Sequence, residues 1–492
     1  MSPDAAKRIA QLEAQLAERD AQLVELEARL VERDEETAEL KTKLEAALAR
    51  IAELEAKVNQ NSSNSSRPPS SDPPWADRPK PKPRSKGKRP RGGQKGHVGH
   101  RRELLPPEDV RNTYDVHPEH CGCCGSANLV DDGSEPVRHQ VTDLPPVVPF
   151  TDEWRLHLGL CGDCGAATRA ELPAGVPRSN FGPVLTALVA LLTAVYKVGK
   201  RGVQELLSDV FGVGMSLGAV SNCERQASEA VAESVEAAHQ YVQDQQVANA
   251  DETSWKERAK KVWLWVMATA NVSVFFILPG RSAECARFVL GRFKGILVSD
   301  RYKGYLFYSM GHRQICWAHL CREFQAMSER GYITGEIGDE LLELTDKMFE
   351  WWHRVGDGTM KRSTFRTYMG PVRRRVEELL ERGAACSAVR GKFKDILLHR
   401  KALWTFVRVE GVPPTNNHAE QQVRHGVVLR KVSLGTQSER GSRFVERMLT
   451  VVATLRKQGR NVHGFLTEAC HARVVGAPAP SLLPDHATDQ AA

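Results

Sequence analysis

Three acids far apart in the chain carry types and local patterns that could do chemistry together: Asp251, Asp300 and Glu420. Asp251 ends the short apolar run VANAD, and Asp300 ends GILVSD. If these runs lie as neighbouring strands, both carboxylates emerge at one edge of one sheet. Two unpaired acids there repel each other and are costly to keep ionised unless a cation sits between them. Hard oxygen ligands of this kind suit Mg²⁺ or Mn²⁺, and a third acid on a facing helix completes a site for two ions. Such ions activate a water or hydroxyl nucleophile and stabilise the leaving oxygen in phosphodiester displacement. Glu420 is the obvious third acid, although periodicity alone does not dock it there.

The stretch around Glu420, TNNHAEQQVR (residues 415–424), allows two explanations of its acid. In one, Pro413 and Pro414 stop what precedes, Asn417 caps a helix, and Glu420 three residues later completes a capping box. Arg424 then stands one turn on, at ion-pair spacing. In the other, Ala419, Val423 and Val427 form a stripe that packs on the sheet. Glu420 lies about 100° round from that stripe, where it can reach ions held by Asp251 and Asp300. Arg424 then orients Glu420 or contacts phosphate. Glu252 is a poor substitute for Asp251, because neighbours on a strand point to opposite faces. Arg301 and Lys303 flank Asp300, where they could neutralise substrate phosphate or be solvated. In CWAHLCREF, Cys316, His319 and Cys321 have metal-compatible spacing but no full ligand set, so a packing and hydrogen-bonding role is favoured; Arg322 is placed to approach DNA phosphate.

A second chemistry is written in CGCCG (121–125) and CGDCG (161–165). Cys121 with Cys124 and Cys161 with Cys164 supply two Cys-x-x-Cys turns, whose four thiolates complete a tetrahedron around a structural Zn²⁺. Cys123, His117 and His120 are near enough to substitute as ligands. The segment between the turns alternates like short strands, as in a zinc ribbon. Eleven cysteines, an odd count beside a polar and helical start with no signal-peptide pattern, favour thiols and metal ligands over a disulfide framework.

Several elements must position these groups, and 492 residues exceed what one core usually supports. Residues 1–60 carry a heptad seam from Ile9 to Val58, with Arg19 and Arg33 in it, and read as a leucine zipper-like coiled coil and hence a homo-oligomer. Residues 61–104 form a linker expected to be disordered until it meets a partner. Between Arg67 and Arg102 it holds twelve Lys or Arg against two Asp, an excess of +10 that leaves about −3 for the rest. Its Arg84, Lys86, Lys88, Arg89, Arg91 and Lys95 suit phosphate contacts and sequence-blind affinity for nucleic acid. Residues 105–180 hold the zinc module. Residues 181–246 are helical, with a Gly212–Gly214 turn before a helix capped by Ser216, spacing that fits a helix-turn-helix.

From 247 to 324 the period turns extended, with three sequential strands, a helix and a fourth strand. Residues 325–400 read as charged helices, where Trp351 and Trp352 could stack on bases, core packing being the favoured use. Residues 401–470 carry Glu420, and 471–492 are expected to be a disordered tail. The apolar run VLTALVALLTAV (184–195) is too short to span a bilayer, so the expectation is a cytoplasmic protein with no membrane partner.

The ordered set ADETSW, VSDRYKGY, CWAHLCREF and TNNHAEQQVR, behind a coiled coil, NSSNSSRPPSSD, GGQKGH and paired Cys knuckles, resembles bacterial insertion-sequence transposases of the sixty-six family. The resemblance covers about residues 5 to 470. It implies a multidomain protein with an α/β ribonuclease H-like core, formed by 247–324 and 401–470 around a helical insertion at 325–400. It also implies a DDE transposase, a polynucleotidyl transferase whose triad is Asp251, Asp300 and Glu420 with two Mg²⁺ or Mn²⁺ ions. Cys316, His319 and Asn417 are then supporting residues. The implied activity is strand cleavage at the ends of a mobile element and transfer of the 3′-hydroxyl into target DNA. Partners would be double-stranded element ends and target, with accessory proteins of the same element, in association with the nucleoid. Gln421 departs from the family pattern, in which Arg commonly follows the Glu. Two other readings share features with this one: a ribonuclease H-like nuclease, and a catalytically inactive DNA-binding regulatory or architectural protein.

Overall fold

Val247 opens a stretch dominated by β-branched and aromatic residues, and there the chain turns into strands. The computed structural model describes residues 3–65, 103–330, 332–387 and 389–484. A five-stranded sheet is built from β3 (Val247–Glu257), β4 (Lys260–Ala268), β5 (Ser273–Leu278), β6 (Ile296–Ser299) and β7 (Arg313–Ile315), following a small hairpin of β1 (Leu158–Leu160) and β2 (Ala167–Arg169). The large sheet has the order β5-β4-β3-β6-β7. β3, β4 and β5 form an antiparallel meander, while β6 lies parallel to β3 and β7 parallel to β6. Parallel neighbours need a crossover connection, and α6 (Ala283–Leu290), capped by Ser282, occurs within it.

β3 does not end at Asp251. It continues to Glu257, paired with β4 as far as Glu257↔Lys260. Trp255 is fully buried in this second half, and its indole N–H donates to Thr436 Oγ1 at 3.1 Å. The polar run Glu-Thr-Ser hides the strand in the sequence, because one of these side chains is buried and the others are half-covered by packed elements.

The outer edge of β5 is closed by a helix. α13 (Glu439–Lys457) presents Thr454, Thr450 and Glu446 to alternate N–H groups of the strand: Ser273 donates to Thr454 (3.1 Å), Phe275 to Thr450 (3.0 Å), and Ile277 to Glu446. Four helical residues rise about 6.0 Å and two strand residues about 6.8 Å, so the two repeats keep pace. Edge donors that would otherwise invite another strand are thereby satisfied.

A second apolar cluster lies among α7 (Trp317–Ser328), α8 (Tyr332–Gly356), α9 (Arg362–Ala385) and α10 (Arg390–Leu398), around Phe324, Leu341, Phe365 and Phe393. Trp352 meets Phe365 and Phe406 with ring centroids 5.9 and 5.5 Å apart, and Trp351 meets Tyr368 at 5.1 Å. Both tryptophans are used in packing. Before the sheet come α2 (Pro183–Ala194), α3 (Lys200–Phe211), α4 (Leu217–Ala230) and α5 (Ala232–Gln243). Ser216 Oγ accepts the Ala219 N–H at 3.1 Å to start α4, which packs against α2 and the last helix, α14 (Val462–Val475).

α1 (Pro3–Val58) is one helix of 56 residues, and its seam residues Leu16, Leu23, Leu26, Leu30, Leu40 and Leu44 are each more than half exposed. Among the described residues no helix is long and apolar enough to cross a membrane. The basic residues Arg84, Lys86, Lys88, Arg89, Arg91 and Lys95 lie outside the described residues.

The chain divides into two compact units, residues 77–153 with 207–213 in one and the remainder in the other. The alternating segment 137–160, expected as short strands, contains among described residues only Leu158–Leu160 in a strand. Pro145, Pro146 and Pro149 remove the donors a ladder needs. The tail also differs from expectation. α14 runs to Val475, Leu482 is fully buried, and its carbonyl accepts from Gln458 Nε2 at 2.9 Å while Ser234 Oγ donates to Pro480 O at 2.7 Å. A buried leucine and these side-chain bonds anchor residues that look featureless in sequence; residues 485–492 lie outside those described.

Thr450→Val keeps the shape of the side chain but strands the Phe275 N–H at the sheet edge. The expected loss is about 1–3 kcal/mol, read as a lower urea midpoint, with Thr450→Ser recovering most of it.

Candidate active site

Asp251 lies in the middle of β3 and Asp300 immediately follows β6. The parallel register pairs Asn249 with Val298; two residues further along each chain stand Asp251 and Asp300, on neighbours about 4.8 Å apart. Glu420 approaches from α12 (Asn417–Ser433), which packs across β3 and β4 through Ala419, Val423 and Gly426. Gly426 permits the close approach, since a Cβ would fall 2.2 Å from Leu264 Cδ2. Burial raises the Asp251 carboxyl well above the ordinary aspartate range, and the negative charges of Glu252, Asp300 and Glu420 push it the same way. The carboxylate of Asp251 has no ion pair among the described residues. The structure thus brings the three acids into one electrostatic cluster.

Asn416 sets the position of α12. It is 1% exposed; its Nδ2 donates to Ala250 O at 2.8 Å, its Oδ1 accepts from Asn249 Nδ2 at 3.0 Å, and its backbone N–H reaches Cys316 Sγ at 3.1 Å. The helix therefore starts one residue earlier than the capping-box reading requires. Asn416 is the N-cap, Asn417 is the first helical residue, and no side-chain cap bond forms. The Glu420 N–H already donates to Asn416 O at 3.1 Å, an ordinary helical bond. Arg424 is exposed and makes no ion pair with Glu420 among the described residues. The cation beside Glu420 is instead Arg322, whose NH2 lies 3.9 Å from Oε2. Asn416 and Asn249 were not singled out in the sequence, where the NN pair was the available signal.

The opposite face of β3 holds a second charge arrangement, which shares Asp300 with the first. Glu252 is buried, paired with Arg281 at 2.5 Å, and accepts the Tyr305 hydroxyl at 2.8 Å. Burial, followed by the Asp300 charge, raises its carboxyl to about 7. Arg281 also lies 3.8 Å from Asp300 Oδ2 and stacks on Tyr302, 3.7 Å from its ring centre. The Tyr302 N–H holds Asp300 Oδ1 at 2.8 Å. Arg301 is occupied by Glu323 and by Asp395 at 3.0 Å, so it is neither solvated nor free for phosphate. Lys303 is exposed.

Cys316 and His319 open α7 beside the acids. Glu420 Oε1 lies 3.9 Å from Cys316 Sγ and 3.5 Å from His319 Nδ1. Cys321 is not in this group; burial raises its thiol to about 12. The two Cys-x-x-Cys turns fall in different compact units and share one geometry. Gly125 and Gly165, at φ +75° and +73°, donate to Cys121 O and Cys161 O at 2.9 Å. The N–H groups of Cys124 and Cys123 lower the Cys121 thiol, and those of Cys164 and Asp163 lower the Cys161 thiol. Cys123, His117 and His120 are exposed.

Asp251→Asn removes a charge that the fold disfavours. Because the folded-state pKa is raised, the wild-type contribution is full below the ordinary aspartate pKa and is lost as pH rises through the higher folded value. In buffer without divalent ions the variant is expected to melt above wild type at pH 8, the gap closing as pH falls toward 4; thermal melts across that range check it.

Residues 178–444, over half of the chain, match the family model described as "Transposase IS66 family". Residues 2–103 match a second model, a family of unknown function (DUF6444). A relative from Sinorhizobium fredii (strain NBRC 101917 / NGR234), called "Uncharacterized protein y4qI", is 24% identical over 255 residues, covering 46% of each protein. The chain thus spans about half the length of that relative. With a mixed α/β architecture and a family match extending from the helices before the sheet through Glu420, the chain belongs to the IS66 transposase family.

Proposed function

We propose that this protein is a DNA transposase that cleaves strands at the ends of an insertion sequence and joins the freed 3′-hydroxyl to target DNA. The observation that carries the proposal is the meeting of Asp251, Asp300 and Glu420 from three distant segments, together with family membership. Asp251 has its charge crowded and, among the described residues, no cation paired with it, which fits a hard divalent ion. Asp251, Asp300 and Glu420 would hold two Mg²⁺ or Mn²⁺ ions; when bound, these supply nucleophile activation and leaving-oxygen stabilisation. Asn416 keeps Glu420 in reach, Tyr302 N–H orients Asp300, and Arg281 pairs with Glu252 on the other face of β3.

The sheet order and the crossover support a ribonuclease H-like core from 247–324 and 401–470, with α8 to α10 as an insertion. The matching Cys turns, Cys121 with Cys124 and Cys161 with Cys164, each support a pair of thiolate ligands for a structural Zn²⁺. We assign DNA contacts to the basic linker, to Arg322 and Arg424, and to the α3–α4 region, where the exposed start of α4 suits a groove. The exposed leucine seam of α1 supports a coiled coil joining copies of the chain. Double-stranded element ends, target DNA and accessory proteins of the element complete the partner set, in the bacterial cytoplasm at the nucleoid.

A supercoiled plasmid carrying the element ends is expected to be nicked or joined with Mg²⁺ by wild type, and at least about 10³-fold more slowly by Asp300→Asn. Equal products from both proteins would overturn the reading, and cleavage confined to RNA–DNA hybrids would favour a nuclease. Leu26→Asp with Leu30→Asp places two charges in the seam and is expected to lower the mass in sedimentation to that of one chain.

A further inference from the structure

The group Cys316, His319 and Glu420 contains ligand types that the hard-ion site does not use. Their ligand atoms all lie within 4.8 Å of one another. A tetrahedral zinc ion separates such atoms by about 3.3–3.7 Å, close to the 3.9 and 3.5 Å already separating the glutamate oxygen from sulfur and nitrogen. His319 Nδ1 is buried and has no hydrogen-bond partner although it faces Glu420.

The surroundings of Cys316 repeat those of a metal knuckle. Its sulfur accepts the Asn416 N–H at 3.1 Å. Burial raises the thiol to about 11, while the N–H groups of Asn416, His319 and Ala318 oppose that rise. N–H groups two and three residues ahead act on Cys121 and Cys161 in the same way. Such outer bonds orient a thiolate ligand and tune its metal.

We propose that Cys316, His319 and Glu420 form a binding site for a borderline divalent transition ion, with Zn²⁺ the ion whose chemistry they fit. Thiolate, imidazole and carboxylate together select Zn²⁺ or Co²⁺ over Mg²⁺. Binding breaks the Cys316 S–H bond, sends its proton to solvent, and forms bonds from the metal to sulfur, nitrogen and oxygen. Glu420 is then drawn toward α7 and away from ions at Asp251 and Asp300, so zinc holds the enzyme off. This last consequence rests on the transposase reading; the binding site does not.

Cobalt titration of the metal-free full chain tests the site by stoichiometry and by thiolate-to-cobalt charge-transfer absorption. Wild type is expected to bind one more equivalent than each of Cys316→Ala, His319→Gln and Glu420→Gln, with thermal melts establishing that each variant is folded. Wild-type stoichiometry in all three overturns the proposal, as does loss confined to Cys316→Ala, which would mean a thiol acting without this group. In the Mg²⁺ nicking assay, the Zn²⁺ concentration for half-inhibition is expected to rise at least about tenfold in Cys316→Ala. An extra cobalt equivalent without any Mg²⁺-dependent nicking sinks the transposase reading alone; nicking without the extra equivalent sinks the zinc site alone.

Discussion

The placement of α12 on the sheet depends on Asn416. One buried amide bridges the backbone of β3 at Ala250 and the side chain of Asn249, while the same residue's N–H ties to Cys316 at the start of α7. Three elements are referenced to one side chain, which leaves little freedom in where Glu420 emerges. A buried amide with its partners satisfied is stable; one deprived of them leaves polar groups stranded.

The sheet then divides four carboxylates by the alternation of a strand. Glu252 and Asp251 are neighbours in sequence but face opposite sides. Glu252 pairs with Arg281 and accepts the Tyr305 hydroxyl. Asp251 receives other acids and, among the described residues, no cation. Buried acids without a compensating charge are costly to keep ionised.

Between Asp300 and Glu420 the chain makes an excursion of 119 residues, yet Glu420 comes back to lie 3.9 Å from Cys316, whose N–H donates to Ser299 O at 3.0 Å. The return is held at β7: Thr405 Oγ1 donates to Arg313 O at 2.6 Å, the Phe406 N–H to Gln314 Oε1 at 2.8 Å, and the Trp317 N–H to Pro414 O at 3.0 Å. Helices α7 to α10 gather an apolar cluster that also takes in Val298 and Ile315 of the sheet, so the excursion is anchored on the strands it leaves. Long insertions with closed ends carry only a slowly growing entropic cost.

Local patterns in the sequence determined the strand character of KVWLWVMATA and VSVFFILP, the long helix at the start, and the helix cap at Ser216. Each is settled by side-chain periodicity or by a group's bond to its own backbone neighbours, within a few residues. The full length of β3 was not legible, because Thr253 and Ser254 owe their places to α12 and to pairing with β4, not to their own apolarity. Nor was the N-cap of α12: Asn416 and Asn417 are equivalent by type, and what chose between them was the sheet that Asn416 touches. The ordering of residues 476–484 likewise awaited a cavity for Leu482. Cys316 and His319 lacked a third ligand in their own segment, and the tertiary fold placed a carboxylate from 101 residues beyond His319 within 3.5 Å of it. Sequence alone set which chemical groups the protein owns and the local form of the chain around them; their distances were decided by long-range packing, which no local pattern encodes.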